Sequence, residues 1–252
     1  MLARLGDGER ITAKERRDVV ILAAREDLTV TWSRYAAGEQ GPGLHVHREH
    51  TDAFYVIEGE LTFAVGPAAE RIRVAAGGFV AVPPNVVHSF ANEGAAESRW
   101  LNFHAPDKGF AAYLRAARDG LDAGFDSFDP PGDGGLPATG VIVRRPGEGE
   151  PLAADAAVVI KGALRDVCVA EWLLDGPGEG PERRHARQVH AYYVLEGELD
   201  VAVERSEHVA GPDTLVTVPP GVPHTVSHSS SGLTRVLHLL APGDGAADFR
   251  RD

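Results

Sequence analysis

Short apolar runs recur along the chain, and turns that contain Gly or Pro separate them. The runs are rich in β-branched and aromatic residues and partly alternate with polar positions, which predicts β-strands. The predicted strands cover residues 18–24, 28–35, 53–57, 61–65, 71–74, 79–82, 86–92 and 98–104. Residues 1–17 are polar and form either a lead-in or part of an edge strand. Strands this short, at this spacing, indicate an all-β barrel or sandwich.

The period of the apolar positions changes after residue 106 from that of a strand to that of a helix. The positions that follow helical spacing are Phe110, Tyr113, Leu114 and Ala117. Asp107 is a suitable N-cap for this helix, and Gly120 is a suitable C-terminal stop. A stretch rich in Gly, Pro and Asp follows at 121–140 and predicts a domain boundary. We therefore predict an N-terminal barrel at 1–106, a helix and linker at 107–140, and a C-terminal barrel at 141–252.

The second half of the chain repeats motifs of the first. Ile-Glu-Gly-Glu ends at Glu60, and Leu-Glu-Gly-Glu ends at Glu198. A Val-Pro-Pro turn precedes His88 and, at nearly the same offset, His224. Two blocks that match in order at nearly one offset imply two copies of one fold.

His45 and His47 lie two positions apart, and the carboxylate of Asp52 follows five residues later. Residues two apart on a strand point to the same face, so the two imidazoles can converge on one point. Imidazole and carboxylate ligands together suit a divalent transition metal such as Fe, Mn, Ni, Cu or Zn. The stretch therefore predicts a metal site, with a further ligand from elsewhere in the chain.

Charge and cysteine content exclude several classes of function. The formal net charge is -12, which repels phosphate backbones and anionic membrane surfaces, so we expect neither a nucleic-acid nor a membrane partner. The single cysteine, Cys168, excludes an internal disulfide and a thiolate-rich zinc site, and we expect it to be a buried apolar residue. Without a signal peptide or an apolar run of about 18 residues, a cytoplasmic protein is the expectation.

The motifs resemble those of the cupin superfamily, and their duplication resembles a bicupin of the quercetin dioxygenase-like kind. The first cupin motif, G(X)5HXH(X)4E(X)6G, is matched in spacing by His45, His47, Asp52 and Gly59, with Asp in the place of Glu and the opening glycine displaced. The second motif, G(X)5PXG(X)2H(X)3N, is matched by Gly77, Pro83, His88 and Asn92, with Asn85 in the place of Gly.

The resemblance implies a jelly-roll barrel, the double-stranded β-helix, in each half. It also implies a metal held in the first barrel by His45, His47, Asp52 and His88. Because Asp is shorter than Glu, Asp52 is either a ligand or a catalytic base beside the metal. Glu49 and His50 are alternatives, although their position after the histidine pair indicates an exposed turn.

In the second copy Arg183 stands at the position of the first histidine ligand, and arginine offers no lone pair to a metal. His185, His190 and His224 remain as a three-imidazole set. We favour weak or no metal binding in this copy over an all-histidine site. His228 and His238 are interpreted as ordinary strand residues.

Strand alternation places Phe54 and Val56 on the face of Asp52, and Phe90 on the face of His88. It leaves open whether Trp100, Asn102 and His104 or the intervening Leu101 and Phe103 point inward.

The resemblance implies a small-molecule substrate and favours a metal-dependent oxygenase that acts on an enol, a diol or a flavonol-like compound. The alternatives are a non-redox isomerase or lyase of a sugar or keto acid, and a binding protein without catalysis. Two barrels in one chain can pair as separate cupins do in a dimer, so a homo-oligomer stays open.

Overall fold

The computed structural model describes residues 1–152, 157–204, 206–229 and 231–243, and the chain divides into two compact units. The first unit comprises residues 9–148, and the second comprises residues 1–8 together with 149–252. Each unit contains one seven-stranded and one smaller antiparallel sheet, with an apolar core built from residues of both sheets. The predicted all-β fold with two jelly-roll barrels is confirmed.

The chain folds mainly into short strands and contains few helical segments. The first eleven strands are β1 (Leu2–Arg4), β2 (Glu9–Lys14), β3 (Arg17–Ala24), β4 (Thr29–Tyr35), β5 (Thr51–Glu58), β6 (Glu60–Val65), β7 (Glu70–Ala75), β8 (Phe79–Val82), β9 (His88–Ala91), β10 (Ser98–Ala105) and β11 (Ile142–Arg144). The others are β12 (Glu150–Pro151), β13 (Val158–Ala163), β14 (Cys168–Asp175), β15 (Gly178–Glu179), β16 (Val189–Glu196), β17 (Leu199–Val203), β18 (Ser206–Ala210), β19 (Thr214–Val218), β20 (His224–His228) and β21 (Leu233–Ala241). Helical segments are α1 (Phe110–Arg118) and two 3-10 turns, Leu5–Asp7 and Ala138–Gly140.

The two units repeat one strand order. In the first unit the large sheet runs β11-β8-β5-β10-β4-β3-β2, and the small sheet runs β7-β6-β9. In the second unit the large sheet runs β1-β19-β16-β21-β14-β13-β12, and the small sheet runs β15-β20-β17-β18. The repeated Glu-Gly-Glu turns occupy equivalent places, and Gly59 and Gly197 both have positive φ, 72° and 76°, which glycine adopts without strain.

Two strands belong to a different unit from the one that their sequence position predicts. Leu2–Arg4 pairs with Thr214–Val218 in the second unit, whereas Ile142–Arg144 pairs with Phe79–Val82 in the first. The units therefore divide near residues 8 and 148, and not at the predicted boundaries of 106 and 141. Both edge pairings join distant parts of the chain, which local sequence patterns do not report.

The register of β5 and β10 decides which residues face the interior of the first unit. Asp52, Phe54 and Val56 alternate along β5 and lie directly opposite His104, Asn102 and Trp100 on β10. Directly paired residues project to the same face of a sheet. Trp100, Asn102 and His104 therefore share the inward face of Asp52, which answers the question that the sequence left open.

The helix α1 follows the first barrel at the predicted place. Gly109 occupies the N-cap position with φ 91°, and the predicted capping residue, Asp107, acts from two positions earlier. Its carboxylate accepts hydrogen bonds from the backbone N–H groups of Gly109 and Ala111, both 3.0 Å long, and from the hydroxyl of Thr29. None of the described helices has the length and apolar character that a membrane-spanning segment requires.

Candidate metal centre

A single antiparallel β-bridge brings His45 to His88. The backbone N–H of His45 donates to the carbonyl of His88 over 3.0 Å, and the reciprocal bond is 2.9 Å long. The two imidazole rings lie 4.3 Å apart, and the ring of His47 lies 4.8 Å from that of His45. The two histidines do not lie on a continuous strand as predicted. His45 forms this isolated bridge, Val46 forms another with Phe128, and His47 follows them outside any strand.

The three imidazoles are held in one orientation by backbone carbonyls. The Nδ1 atoms of His45, His47 and His88 lie 2.9, 2.5 and 3.1 Å from the carbonyl oxygens of Gly43, Asp126 and Val86, respectively. A carbonyl oxygen only accepts hydrogen bonds, so each Nδ1 carries the hydrogen. Each Nε2 of the neutral ring is then left with a lone pair, which is the form that binds a metal.

Asp52 supplies the carboxylate between these rings. Its Oδ2 lies 3.2 Å from Nε2 of His88 and 3.7 Å from Nε2 of His47, while its Oδ1 accepts a hydrogen bond from the amide of Asn102. Burial disfavours the ionised carboxyl, but the imidazoles of His104, His47 and His88 outweigh it and hold the pKa of Asp52 well below its usual range. Asp52 is therefore an anion in this site.

These four side chains fit a divalent metal. Their ligand atoms all lie within 4.8 Å of one another. Nε2 of His47 is buried and has no hydrogen-bond partner among the described residues, and Nε2 of His88 faces a carboxylate oxygen with its lone pair. Two acceptors in contact repel each other unless a cation or a proton lies between them, and a metal ion would satisfy both atoms.

Burial keeps His45, the first of the predicted ligands, neutral. It lowers the pKa of His45 to about 4, and the neighbouring imidazoles of His88 and His47 act in the same direction. At neutral pH the lone pair of this ring is therefore available.

A second row of histidines lies behind the first. Nδ1 of His50 is 2.8 Å from a carboxylate oxygen of Asp126, and its Nε2 is 2.9 Å from Nδ1 of His104. Nε2 of His104 lies 3.1 Å from the amide oxygen of Asn102 and 3.5 Å from Oδ1 of Asp52. The row thus leads from Asp126 to the proposed ligand carboxylate.

The row corrects one expectation and defines an alternative ligand set. His50 was expected in an exposed turn, but it is fully buried at 0% exposure. The nitrogens of His47, His50 and His104 also lie within 4.8 Å of one another. Because both nitrogens of His50 have protein partners, this second set fits a metal less well than the first.

Asp126 lies in the predicted linker but contacts the segment that carries His47. Its carboxylate accepts hydrogen bonds from the backbone N–H groups of Arg48 and Glu49, over 3.0 and 2.7 Å, and its carbonyl holds His47. Burial disfavours the ionised carboxyl, but the N–H groups of Glu49 and Arg48 hold the pKa of Asp126 below its usual range. No local motif marks this aspartate, because its partners lie almost 80 positions away.

A cavity of about 720 Å³ opens above the site. Its floor includes His45, His47, Asp52, Asn102 and His104. Its walls carry six aromatic side chains, in a chain that is only 7% aromatic: Tyr35, Phe90, Trp100, Phe110, Tyr113 and Phe125. A mostly apolar cavity with a few convergent polar groups is typical of a small-molecule site.

The equivalent place in the second unit is built differently. Arg183 takes the position of His45, since the same reciprocal pair of backbone hydrogen bonds joins it to His224, over 2.7 and 3.0 Å. His185 lies 4.2 Å from His190, ring to ring, and His190 contacts the buried His238 over 3.1 Å. The described residues of this unit contain no group of ligand atoms as close as that of the first.

Electrostatics in the second unit also disfavour a cation. Burial lowers the pKa of His190 to about 2, and His185, His224 and the guanidinium of Arg183 act in the same direction. His238, expected to be an ordinary strand residue, points into this histidine cluster and is fully buried. Cys168 is buried, as expected.

Comparisons with known proteins agree with the repeated architecture. A family model described as a cupin domain, Cupin_2, matches residues 31–104 and 171–240. A search of curated protein sequences gave no match. Similar solved structures include AerE from Microcystis aeruginosa, with 12% identity and a TM-score of 0.67 over 93% of this chain and 96% of that chain. Oxalate decarboxylase from Bacillus subtilis at pH 4.6 is similar with 14% identity and a TM-score of 0.67, over 96% of this chain and 76% of that chain. At such identities the likeness shows the fold alone.

Proposed function

This chain belongs to the cupin family, with one cupin domain in each half, and from that premise we propose that it is a metal-dependent enzyme with its active site in the first unit. The proposed ligands are His45, His47, Asp52 and His88. The observation that carries the proposal is the orientation of three Nε2 lone pairs and one carboxylate towards a common point. A divalent Fe, Mn, Ni, Cu or Zn ion suits this donor set.

We assign Asp52 as a ligand and not as the catalytic base. Its Oδ2 lies 3.2 Å from Nε2 of His88 and 3.7 Å from Nε2 of His47, so the carboxylate is placed to bind the same ion as these imidazoles. The amide of Asn102 holds one carboxylate oxygen, which leaves the other directed at the imidazoles. This geometry orients the carboxylate for coordination.

The reaction that we propose first is dioxygenation of a small enol, diol or flavonol-like substrate. A redox-active metal bound here would supply binding and activation of O2 next to the substrate. Both oxygen atoms of O2 would enter the product, so the reaction needs no separate reductant. The protein contributes the apolar cavity, which excludes water, and the floor residues, which orient the oxygen atoms of the substrate.

A non-redox isomerase or lyase is the second candidate, because the same ligand set can hold Zn or Mn as a Lewis acid. Oxalate decarboxylase, a protein of similar fold, is named for a lyase reaction. A binding protein without catalysis is the third candidate. The single cysteine fits a reducing compartment, so we propose a cytoplasmic location.

Elemental analysis of protein purified without chelator or added metal tests the proposal. We expect a divalent transition metal in the wild type and its loss in His88→Ala. His208→Ala, which removes an exposed histidine of the second unit, is the matched control and should keep the metal. A His88→Ala variant with an unchanged metal content would overturn the assignment.

Two activity measurements separate the reaction classes. O2 uptake with flavonols and 1,2-diketones, stoichiometric with substrate loss, is expected for the dioxygenase. Turnover of a sugar or keto acid that is unchanged under argon would support the isomerase or lyase instead. Ligand binding without turnover in either assay would support the third candidate, a binding protein without catalysis.

A further inference from the structure

Two buried hydroxyl groups on β4 face the cavity. Thr31 and Ser33 alternate on the same side of the strand, line the cavity, and are only 1% and 5% exposed. Neither side chain has a hydrogen-bond partner among the described residues. Thr29, the preceding residue on this side, differs because its hydroxyl donates to the carboxylate of Asp107. The hydroxyl groups of Thr31 and Ser33 are therefore available to a molecule in the cavity.

The strand register places one of these hydroxyl groups opposite Asn102, whose amide contacts Asp52. Ser33 lies directly opposite Trp100, and Thr31 directly opposite Asn102, in the register of β4 and β10. Both residues line the same cavity as His45, His47 and Asp52, so an oxygen atom of a ligand bound there can pair with the hydroxyl groups.

The aromatic side chains of the cavity form two separate walls. One wall contains Tyr35, Phe90 and Trp100, in which the ring of Trp100 lies 4.7 Å from that of Tyr35 and 5.8 Å from that of Phe90. The other wall contains Phe110, Tyr113 and Phe125, in which the ring of Phe125 lies 5.4 Å from that of Phe110 and 4.6 Å from that of Tyr113. Ring contacts join the members of each wall, and across the described residues none joins one wall to the other. Aromatic side chains on a cavity favour an aromatic ligand, because its ring can stack on their faces or meet their edges.

We propose that the substrate of the first unit is an aromatic compound with an oxygen substituent on its ring system, and that Thr31 and Ser33 are specificity residues that hydrogen-bond this oxygen. The proposal rests on the assignment of the first cavity as the active site. It narrows the enol, diol or flavonol-like class to aromatic members, and it does not require the metal itself for recognition of the ring.

Three bicyclic probes of similar size separate the contribution of the aromatic rings to binding from that of the hydroxyl group. 2-Naphthol carries the aromatic rings and the hydroxyl group, 2-methylnaphthalene lacks the hydroxyl, and decahydro-2-naphthol lacks the aromatic rings. Dissociation constants are measured on the full chain, once after chelator treatment and once after metal loading. We expect 2-naphthol to bind most tightly in both states, because it alone uses both the walls and the hydroxyl pair.

The variants Ser33→Ala and Thr31→Val identify the hydrogen bonds. Each variant should raise the dissociation constant of 2-naphthol by roughly two- to twelve-fold, the range for one neutral hydrogen bond. The dissociation constant of 2-methylnaphthalene should not change. Ser33→Thr and Thr31→Ser keep a hydroxyl group and should retain most of the affinity. Thr62→Val is the matched control, since Thr62 is a buried threonine on β6 that does not line the cavity, and it should change neither constant.

Two results would overturn the proposal. Equal binding of decahydro-2-naphthol and 2-naphthol would exclude aromatic recognition, and an unchanged ratio of 2-naphthol to 2-methylnaphthalene in both variants would exclude the hydroxyl pair. If only the metal assignment is wrong, the protein binds no metal, but 2-naphthol still binds more tightly than the other two probes and the two variants still weaken its binding.

Discussion

The hydroxyl of Tyr192 lies 3.0 Å from Nε2 of His224, the atom whose counterpart in the first unit faces Asp52. Nδ1 of His224 donates to the carbonyl of Val222, so its Nε2 accepts from the tyrosine hydroxyl. Phe54 takes the place of this tyrosine in the first unit, two positions after Asp52. In the second unit the hydroxyl of Tyr192 therefore occupies the Nε2 lone pair of His224, which a metal ion would need.

The first prediction concerns metal stoichiometry. We expect close to one metal ion per chain in the wild type and still close to one in Arg183→His, because Tyr192 continues to engage His224. The double variant Arg183→His, Tyr192→Phe removes both the cation and the hydroxyl and should take up a second ion. Elemental analysis after metal loading checks this, and a wild type that binds two ions would contradict it.

The second prediction concerns Asp126. Asp126→Ala removes the carboxylate that holds the backbone of Arg48 and Glu49, so the loop that carries His47 should become less ordered. Loss of such a supporting contact typically weakens metal binding about 10- to 100-fold. Competition with a chromophoric chelator measures the affinity. Asp129→Ala, an exposed aspartate of the same segment, should behave as the wild type, and equal losses in both variants would refute a specific role of Asp126.

The third prediction concerns acid stability of the metal-free protein. Burial lowers the pKa of His45 to about 4 and of His190 to about 2, and it lowers the pKa values of His104 and His238 well below the usual range. In the unfolded chain these groups take up a proton near pH 6.5, so between pH 6.5 and 4 the unfolded state binds more protons. The free energy of unfolding is therefore largest above pH 6.5 and decreases as the pH falls.

Each such group contributes a slope of up to about 1.4 kcal/mol per pH unit in this window. Urea unfolding at pH 7.5, 6 and 5 should therefore give a steadily smaller free energy of unfolding. A value that is constant over this range would show that the buried histidines titrate normally.

The fourth prediction concerns the start of α1. Asp107→Ala removes the acceptor for the N–H groups of Gly109 and Ala111 and should lower the free energy of unfolding by about 0.5–2 kcal/mol. Asp107→Asn keeps one acceptor oxygen and should lose less. Thermal unfolding monitored by circular dichroism compares the two variants, and equal losses would argue against a capping role.

Much of the fold and of the site follows from local sequence patterns. Alternation along β5 predicted that Asp52 and Phe54 share the inward face, and the repeated Glu-Gly-Glu motif predicted two copies of one barrel; the register and the strand order show both. These features were accessible because periodicity and turn chemistry are properties of neighbouring residues.

The features that the sequence did not reveal depend on distant pairings. Asp126 lies in a stretch without periodicity, and its role arises only because its carbonyl meets His47. His50 follows the histidine pair as a turn residue would, yet the packing of His104 and Phe125 buries its ring. In the same way, the hydroxyl groups of β4 acquire meaning only from the cavity that other strands and α1 enclose.

The membership of Leu2–Arg4 in the second unit has a consequence for biosynthesis. This strand is translated long before its partner, Thr214–Val218, which lies more than two hundred positions farther along the chain. That edge of the sheet can close only after Thr214–Val218 has been made, and closure of so long a loop is entropically costly. The first unit, whose strands all lie within residues 9–148, has no such delay and can fold on the ribosome while the N-terminal strand waits for its partner.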